Sequence, residues 1–429
     1  MKKIVIAGAG HGGIVAAIKL AKFGYDVTLF EKENEDSISY DWSDDIMLEV
    51  FEKTGIPCPP SECFEPKKQW RFISPDFNSN IVLPKPKDEI SIKRREFACY
   101  LIDLAKEAGV NIELGGAVES LVFDGDKVVG IKVNENEIKA DLVIDASGRD
   151  SALREELVSK KVLSYKKGTT DFLGAYRAFY DYPFDAPEVP CELILFHNGE
   201  KGISWCNYGA DGEGDLLVAR FGGLTDEALT NAIDDLKPRY EFLSENLRRD
   251  KKITICTRCS LPVFVTEGYA AVGDSAFMPM PLMGSGIESA MKAGAILADA
   301  LKTDCDINAL WEYEKEYYKQ IGGDFVLIDR LKNNLLNKFD ADYLNAVFAS
   351  GIITSEDFNV LSTSQDAKLP KGFIGSKIKL AFKNWGLIRP LIPILVKGLK
   401  AKKAALKLPK KYNVKKIAKW QKRLEKTGY

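Results

Sequence analysis

Histidine is almost absent from this chain: His11 and His197 are the only two among 429 residues. Two imidazoles and dispersed cysteines offer no tetrahedral ligand set, so no metal centre is expected. Long apolar runs are absent too. No stretch of 18 residues lacks a charged side chain, whereas a spanning helix needs about 20 mainly apolar residues. Any membrane contact is therefore expected to be peripheral. Cysteine is sparse, eight in all and scattered except for Cys256-Thr-Arg-Cys259. That excludes a disulfide scaffold and fits a reducing, cytoplasmic setting. The C-x-x-C spacing falls on an apparent strand, Ile253 to Leu261, in which residues three apart face opposite sides. Two structural thiols are expected there rather than a redox pair.

What is present can build a large core. Hydrophobic residues make up 45% of the chain and aromatic residues 10%, and the length suggests two or three interlocked domains. A net charge of -2 conceals a division: residues 368–429 carry 19 Lys and Arg against the single acid Glu425. The body is correspondingly acidic, and the tail calls for an anionic partner. Met1-Lys2-Lys3 followed by apolar and small residues superficially imitates a signal peptide. The glycines beyond it fall on a nucleotide-binding spacing that cleavage would destroy, so secretion is not expected.

Lys3 to Ala7 reads as a buried strand, followed by glycines, a small-residue helix through Phe23 and a second strand at Asp26 to Glu31. This is a βαβ start. Pro57 to Pro86, rich in Pro, Ser and aromatics, reads as an excursion over the surface. A helix near Arg94 to Ala108 follows, then strands at Val110 to Leu114, Val118 to Asp124 and Val128 to Val133, the last two joined by an Asp-Gly hairpin turn. Leu142 to Ile144 is a further strand. Residues 160–265 alternate apolar and polar in short segments, which predicts a mostly antiparallel sheet. Tyr269 to Val272 returns as a core strand, Gly284 to Leu301 reads as a helix, and residues 309–350 as more helices.

Gly8-Ala-Gly10-His-Gly-Gly13 places G-x-G-x-x-G between a strand and a helix, the context that gives this short pattern meaning. Gly8 permits the tight turn, Gly10 lets a pyrophosphate approach the backbone, and Gly13 lets helix and strand pack closely. The helix start offers free N–H groups to phosphate. Glu31 ends the second strand where an acid can bind ribose hydroxyls, which disfavours a 2′-phosphate. These features by themselves do not separate NAD from FAD.

Three further segments resemble the p-hydroxybenzoate-hydroxylase-type flavoproteins, and among them most closely the geranylgeranyl reductase family. Ile92-Lys-Arg94-Arg-Glu-Phe97 is similar to a helix start whose arginine reaches FAD phosphates. Asp145-Ala-Ser-Gly148 resembles an element beside the cofactor. Gly268-Tyr-Ala-Ala-Val-Gly273-Asp274, followed by Pro279-Met-Pro281-Leu-Met-Gly284-Ser-Gly286, resembles the turn in which the aspartate holds the ribityl chain and the glycines pass under the isoalloxazine. The resemblance spans roughly residues 1–300. It implies FAD as cofactor, held by Gly8, Gly10, Gly13, Glu31, Arg94, Gly148, Asp274, Gly284 and Gly286. It also implies an α/β fold: a Rossmann-type FAD-binding domain (1–160 and 266–305) interlocked with an antiparallel-sheet substrate domain (161–265), then a helical C-terminal region (306–429) whose basic tail starts at about 368.

A flavin carries the redox chemistry, so the protein need only position substrate and supply a proton. No catalytic acid or base stands out. His11 belongs to the phosphate loop, and His197 reads as an exposed strand-end residue. Trp205 lies where the reductases carry an aromatic-x-Trp-x-Phe-Pro pattern lining a lipid channel. Only the tryptophan matches, Ile203, Asn207 and Tyr208 standing at the other places, which weighs against a prenyl substrate; Trp205 is equally readable as core. The Trp-x-Trp-x-Ile-Pro pattern of a halogenase is missing. Asp41 and Asp45, flanking Trp42, can donate a proton or orient a polar group, or form a solvated loop.

The tail from Phe373 to Leu408 interleaves aliphatic residues with lysines around Leu387-Ile-Arg-Pro-Leu-Ile-Pro-Ile-Leu-Val396. Such a segment resembles an interfacial anchor for anionic lipid, or else docks on the acidic body or a second subunit. Nucleic acid is not expected. The first expectation is an FAD oxidoreductase that reduces or oxidises a carbon–carbon bond of a hydrophobic substrate, with NAD(P)H or a ferredoxin as electron donor, located in the cytoplasm or on the inner face of the cell membrane. The alternatives are an FAD monooxygenase acting on an aromatic compound and a non-enzymatic flavin redox sensor.

Overall fold

A computed structural model describes residues 1–209, 212–355 and 383–429. Lys3–Ala7, Asp26–Glu31, Asn111–Leu114, Leu142–Asp145 and Tyr269–Ala271 pair in parallel, with Val265–Thr266 antiparallel at one edge. A parallel sheet is covered on both faces, so its strands must be apolar throughout. Ile4, Val5, Ile6 and Ala7 are accordingly all buried. The helices His11–Lys22 and Ile287–Ala300 pack together through glycine. A Cβ on Gly294 would lie 2.1 Å from the Gly12 carbonyl oxygen, and one on Gly12 would lie 2.7 Å from that of Ala290. Contact this close brings the start of the second helix beside the start of the first.

The second sheet has seven strands in the order Leu247–Cys256, Phe172–Asp181, Glu213–Phe221, Gly202–Tyr208, Cys191–Leu195, Trp70–Ile73 and Asn80–Val82. Every pairing is antiparallel except that of Trp70–Ile73 with Cys191–Leu195. Part of the presumed surface excursion is therefore sheet. Phe72 and Ile73 are buried, and no proline falls inside the two added strands, where a missing N–H would break a ladder bond. A small sheet of Ser43–Met47, Glu89–Lys93 and Phe64–Pro66 stands between the two large ones.

Two further expectations need correction. The strand carrying Cys256 stops there, because the chain leaves the seven-stranded sheet: Thr257 N donates to the Asp171 carbonyl and Leu261 N to that of Ala276. Cys259 thus lies beyond the strand. Both thiols are buried and unpaired, and burial pushes each up to about 12, so neither is a thiolate nucleophile at neutral pH. His197 is not exposed but fully buried in a short turn after Leu195, its ring between Ser204 Oγ and Asp235 Oδ2 at 3.0 Å each.

The C-terminal helices share the first sheet's core. Ile307–Tyr317, Gly323–Lys338 and the turn Tyr318–Gly322 between them bury Trp311, Tyr313, Tyr317, Tyr318 and Phe325, with Phe264 packed edge-on to Tyr313 and Tyr317. Ile392–Ala405 lays Ile394, Gly398, Ala401 and Ala405 inward, and a Cβ on Gly398 would meet Leu327 Cδ1 at 2.6 Å. Val414–Glu425 buries Ile417, Trp420 and Leu424. Residues 368–382 of the basic tail lie outside the described residues. No helix of the described residues is long and apolar enough to cross a membrane.

Candidate functional site

The first strand ends in Gly8, whose φ of +96° belongs to the left-handed region and whose N–H donates to the Phe30 carbonyl at 2.7 Å. A Cβ there would lie 2.5 Å from the Ala146 carbonyl oxygen, so only glycine fits. Gly10 is the N-cap of His11–Lys22, and its Cβ would lie 2.9 Å from the same oxygen. Gly13 packs the helix on Ala146, where a Cβ would fall 2.5 Å from the alanine's own. The Glu31 carboxylate accepts from Ala9 N at 2.7 Å and Glu33 N at 3.0 Å, which clamps the loop while leaving lone pairs for hydroxyl donors.

A cavity of about 740 Å³ opens from this cradle. Of the nine expected cofactor residues, Gly10, Arg94, Gly148, Asp274, Gly284 and Gly286 line it. Gly8, Gly13 and Glu31 shape the loop from behind. Gly284 (φ +72°) has room for no side chain, since a Cβ would sit 2.2 Å from Ile255 Cγ2. Gly286 caps the helix Ile287–Ala300, and a Cβ on it would be 3.2 Å from Asp274 Oδ1. Burial raises the Asp274 carboxyl above its ordinary value, with Arg94 and Arg149 pulling the other way. The result is two helix N-termini facing one cavity, a setting that stabilises negative charge between them.

Asp41, Asp45 and Trp205 also line the cavity, in different roles. Asp41 is largely exposed, 3.9 Å from Arg249. Asp45 accepts from Ser91 Oγ and stands 3.5 Å from Lys67 Nζ, which also pairs with Glu89. Burial lowers the Lys67 pKa and the two carboxylates more than offset it, so the net shift is upward. Trp205 lies on Gly202–Tyr208 with its ring edge-on to Trp70.

Sequence reasoning missed the polar knot beneath them. Buried Arg177 holds Asp215 with two nitrogens, at 3.1 and 3.0 Å, and reaches Asp44 at 3.2 Å and the Ser43 carbonyl at 3.1 Å. Arg94, at the start of Arg94–Glu107, takes the other Asp44 oxygen at 2.7 Å. Asp44 thus ties the substrate-side sheet to the cofactor side. The visible signal was an arginine amid the apolar and aromatic run Phe172 to Tyr180. His11 was also undervalued. Its ring stacks on Phe97, burial lowers its pKa to about 3, and its Nε2 is buried without a partner. Among the described residues no group of His, Cys, Asp and Glu is arranged to hold a metal ion.

Residues 1–318 match the family model described as FAD binding domain. The digeranylgeranylglycerophospholipid reductase 2 of Methanococcoides burtonii is 25% identical over 91% of this chain and 96% of its own length. Among solved structures, a geranylgeranyl bacteriochlorophyll reductase-like protein from Thermoplasma acidophilum superposes with a TM-score of 0.74 at 19% identity, covering 92% of this chain and 99% of that one. A triple mutant of the flavin-dependent brominase Bmp2 gives 0.67 at 18% identity, over 90% and 100%. At such identities the structural likenesses establish the fold. The glycine cradle leaves space where a Cβ would intrude, and His11 Nε2 presents an unpartnered buried nitrogen beside it; both suit a bound FAD.

Proposed function

This chain belongs to the FAD binding domain family, and from that premise we propose that it is a reductase that saturates carbon–carbon double bonds of a prenyl-lipid substrate. One observation carries the reading: a single cavity is walled on one side by the cofactor glycines and on the other by aliphatic side chains of the seven-stranded sheet. Leu173, Leu193, Ile203, Leu217, Ile253 and Ile255 supply that wall. FAD, when bound and reduced by the electron donor, would supply the hydride. Gly10, Asp274 and Gly286 would hold it, the aliphatic wall would orient the chain of the substrate and exclude water, and the Lys67–Asp45 pair would hold a proton at the cavity's edge. Relatives named as digeranylgeranylglycerophospholipid reductases support the substrate class.

Anaerobic protein reduced with dithionite should be reoxidised by a prenyl-lipid extract, with loss of double bonds in the lipid. NADPH, NADH and reduced ferredoxin can be compared as electron donors in the same cell. Reoxidation by oxygen alone would replace this reading with a monooxygenase, and reoxidation by neither would leave a sensor.

The reading includes a peripheral site on an anionic bilayer. Ile392, Leu395, Val396 and Leu399 are exposed on the helix face opposite the buried stripe, with Trp385 exposed just before it. Lys397, Lys400, Lys403 and Lys407 flank them, also exposed. Apolar side chains can enter the headgroup boundary while the lysines meet lipid phosphates. Leu395→Glu with Leu399→Glu should abolish sedimentation with phosphatidylglycerol vesicles and cost at most about 1 kcal/mol of thermal stability, since both side chains are partly exposed.

A further inference from the structure

Trp205 and Asn207 are two residues apart on one face of the strand Gly202–Tyr208, and both line the cavity. Their Cα atoms are separated by about 7 Å. Each carries a buried polar atom without a hydrogen-bond partner, indole Nε1 in the one and amide Oδ1 in the other. The Asn207 amide nitrogen is directed at Asp215 Oδ2, 3.5 Å away, which leaves the carbonyl oxygen as the free end. Folded proteins keep few orphaned buried donors or acceptors, because each forfeits its water without compensation. Two of them side by side in one cavity wall point to a ligand.

The cross-strand register shows where along the wall they stand. Leu193 and Leu217 flank Trp205, whereas Cys191 and Asp215 flank Asn207. On the far side of Trp205 the next row is Leu195, Ile203, Ala219, Ala175 and Ile253. The wall is therefore aliphatic beyond Trp205 on the Ile203 side, whereas the Trp205 row runs through Leu217 to buried Arg177, 5.4 Å from the indole ring centroid, and the Asn207 row holds Asp215. A free donor next to a free acceptor, at the end of an aliphatic strip, matches a group that accepts and donates at once. A hydroxyl does so: its oxygen takes the indole proton and its own proton goes to the amide oxygen.

We propose that Trp205 and Asn207 form a specificity subsite for a hydroxyl group on an otherwise apolar substrate. The subsite rests on the prenyl-lipid reading and narrows it to an alcohol. It orients the chain end to end in the cavity, hydroxyl toward Asn207 and hydrocarbon along Ile203 and Ile253 toward Gly284.

The test titrates FAD-loaded, full-length, oxidised protein with geranylgeraniol and with the hydrocarbon of the same chain lacking the hydroxyl, reading the perturbation of flavin absorption. The alcohol should bind on the order of tenfold more tightly. Asn207→Leu and Trp205→Phe should each bring the ratio toward one while leaving affinity for the hydrocarbon within about twofold. Equal affinities in the unsubstituted protein would overturn the subsite and leave the prenyl reading standing, because both probes still bind; this comparison needs no variant to fold. A preference retained in Asn207→Leu would overturn it as well. A flavin spectrum altered in the variants without any probe would assign the pair to the cofactor instead, and no response to either probe would remove the subsite and the substrate reading together.

Discussion

The glycine cradle and the sheet face opposite it wall the same cavity, yet different physics holds them. In the cradle the deciding atoms belong to the backbone: a Cβ on Gly8 or Gly10 would lie 2.5 or 2.9 Å from the Ala146 carbonyl oxygen, and one on Gly13 would lie 2.9 Å from that of Gly8. Across the cavity the deciding atoms are side chains brought together by register, as when Arg177 meets Asp215 and Asp44 from three separate strands. The three cradle glycines lie in one six-residue window, although they close on Ala146 far along the chain, whereas Arg177, Asp215 and Asp44 each come from a different strand. The cradle should therefore fail by losing its ligand, and the sheet face by losing stability or selectivity.

The largest effect is expected at Gly10. Gly10→Val places carbon within 2.9 Å of a carbonyl oxygen and fills the phosphate approach, so the protein should purify folded and without flavin, measured as the flavin-to-protein ratio. Leu217→Ala on the opposite wall should retain full flavin; a colourless Leu217→Ala would show that the two walls are not separable. Next comes Arg177→Met, which leaves Asp215 and Asp44 without their shared cation and should cost about 3–5 kcal/mol in denaturant melts. Changing Asp215 to Leu in the same chain should recover much of that loss, and no recovery would argue that the pair is not the unit.

The smallest effect is a dependence on pH that samples both regions. His11 sits in the cradle and His197 behind the sheet, and burial lowers both pKa values. A histidine whose folded pKa lies below its unfolded value near 6.5 contributes stability that is fully present above pH 6.5 and is lost as pH falls toward the folded value. For His11 that window runs down to about 3. Over the first pH unit below 6.5, stability should drop by up to about 1.4 kcal/mol for each histidine. His197→Gln should remove one share of this slope, and an unchanged slope would mean that His197 is not neutral in the fold.

The distribution of what was legible follows the same division. The βαβ start was readable because buried parallel strands are apolar in unbroken runs and the G-x-G-x-x-G spacing lies within six residues. The helix Arg94–Glu107 was readable from its period. Strand Trp70–Ile73 was not, since four residues among prolines carry too little periodicity, and its partner, Cys191–Leu195, is more than a hundred residues away. His197 was misjudged because two polar partners, Ser204 and Asp235, satisfy it in the interior, and neither is its neighbour in the chain.

By itself, then, the sequence determined the nucleotide cradle, the dinucleotide class of its cofactor and the two-sheet architecture, because local backbone geometry and hydrophobic period are encoded in short windows; the choice of FAD rested on the family resemblance. Only the tertiary structure decided which side chains face each other across the cavity: Arg177 with Asp44, Lys67 with Asp45, and the unpartnered ends of Trp205 and Asn207. It also decided that the described part of the lysine-rich tail, residues 383–429, packs one face on the body and turns the other to solvent. Those outcomes depend on strand register and helix rotation, which are fixed by the burial of the whole chain at once.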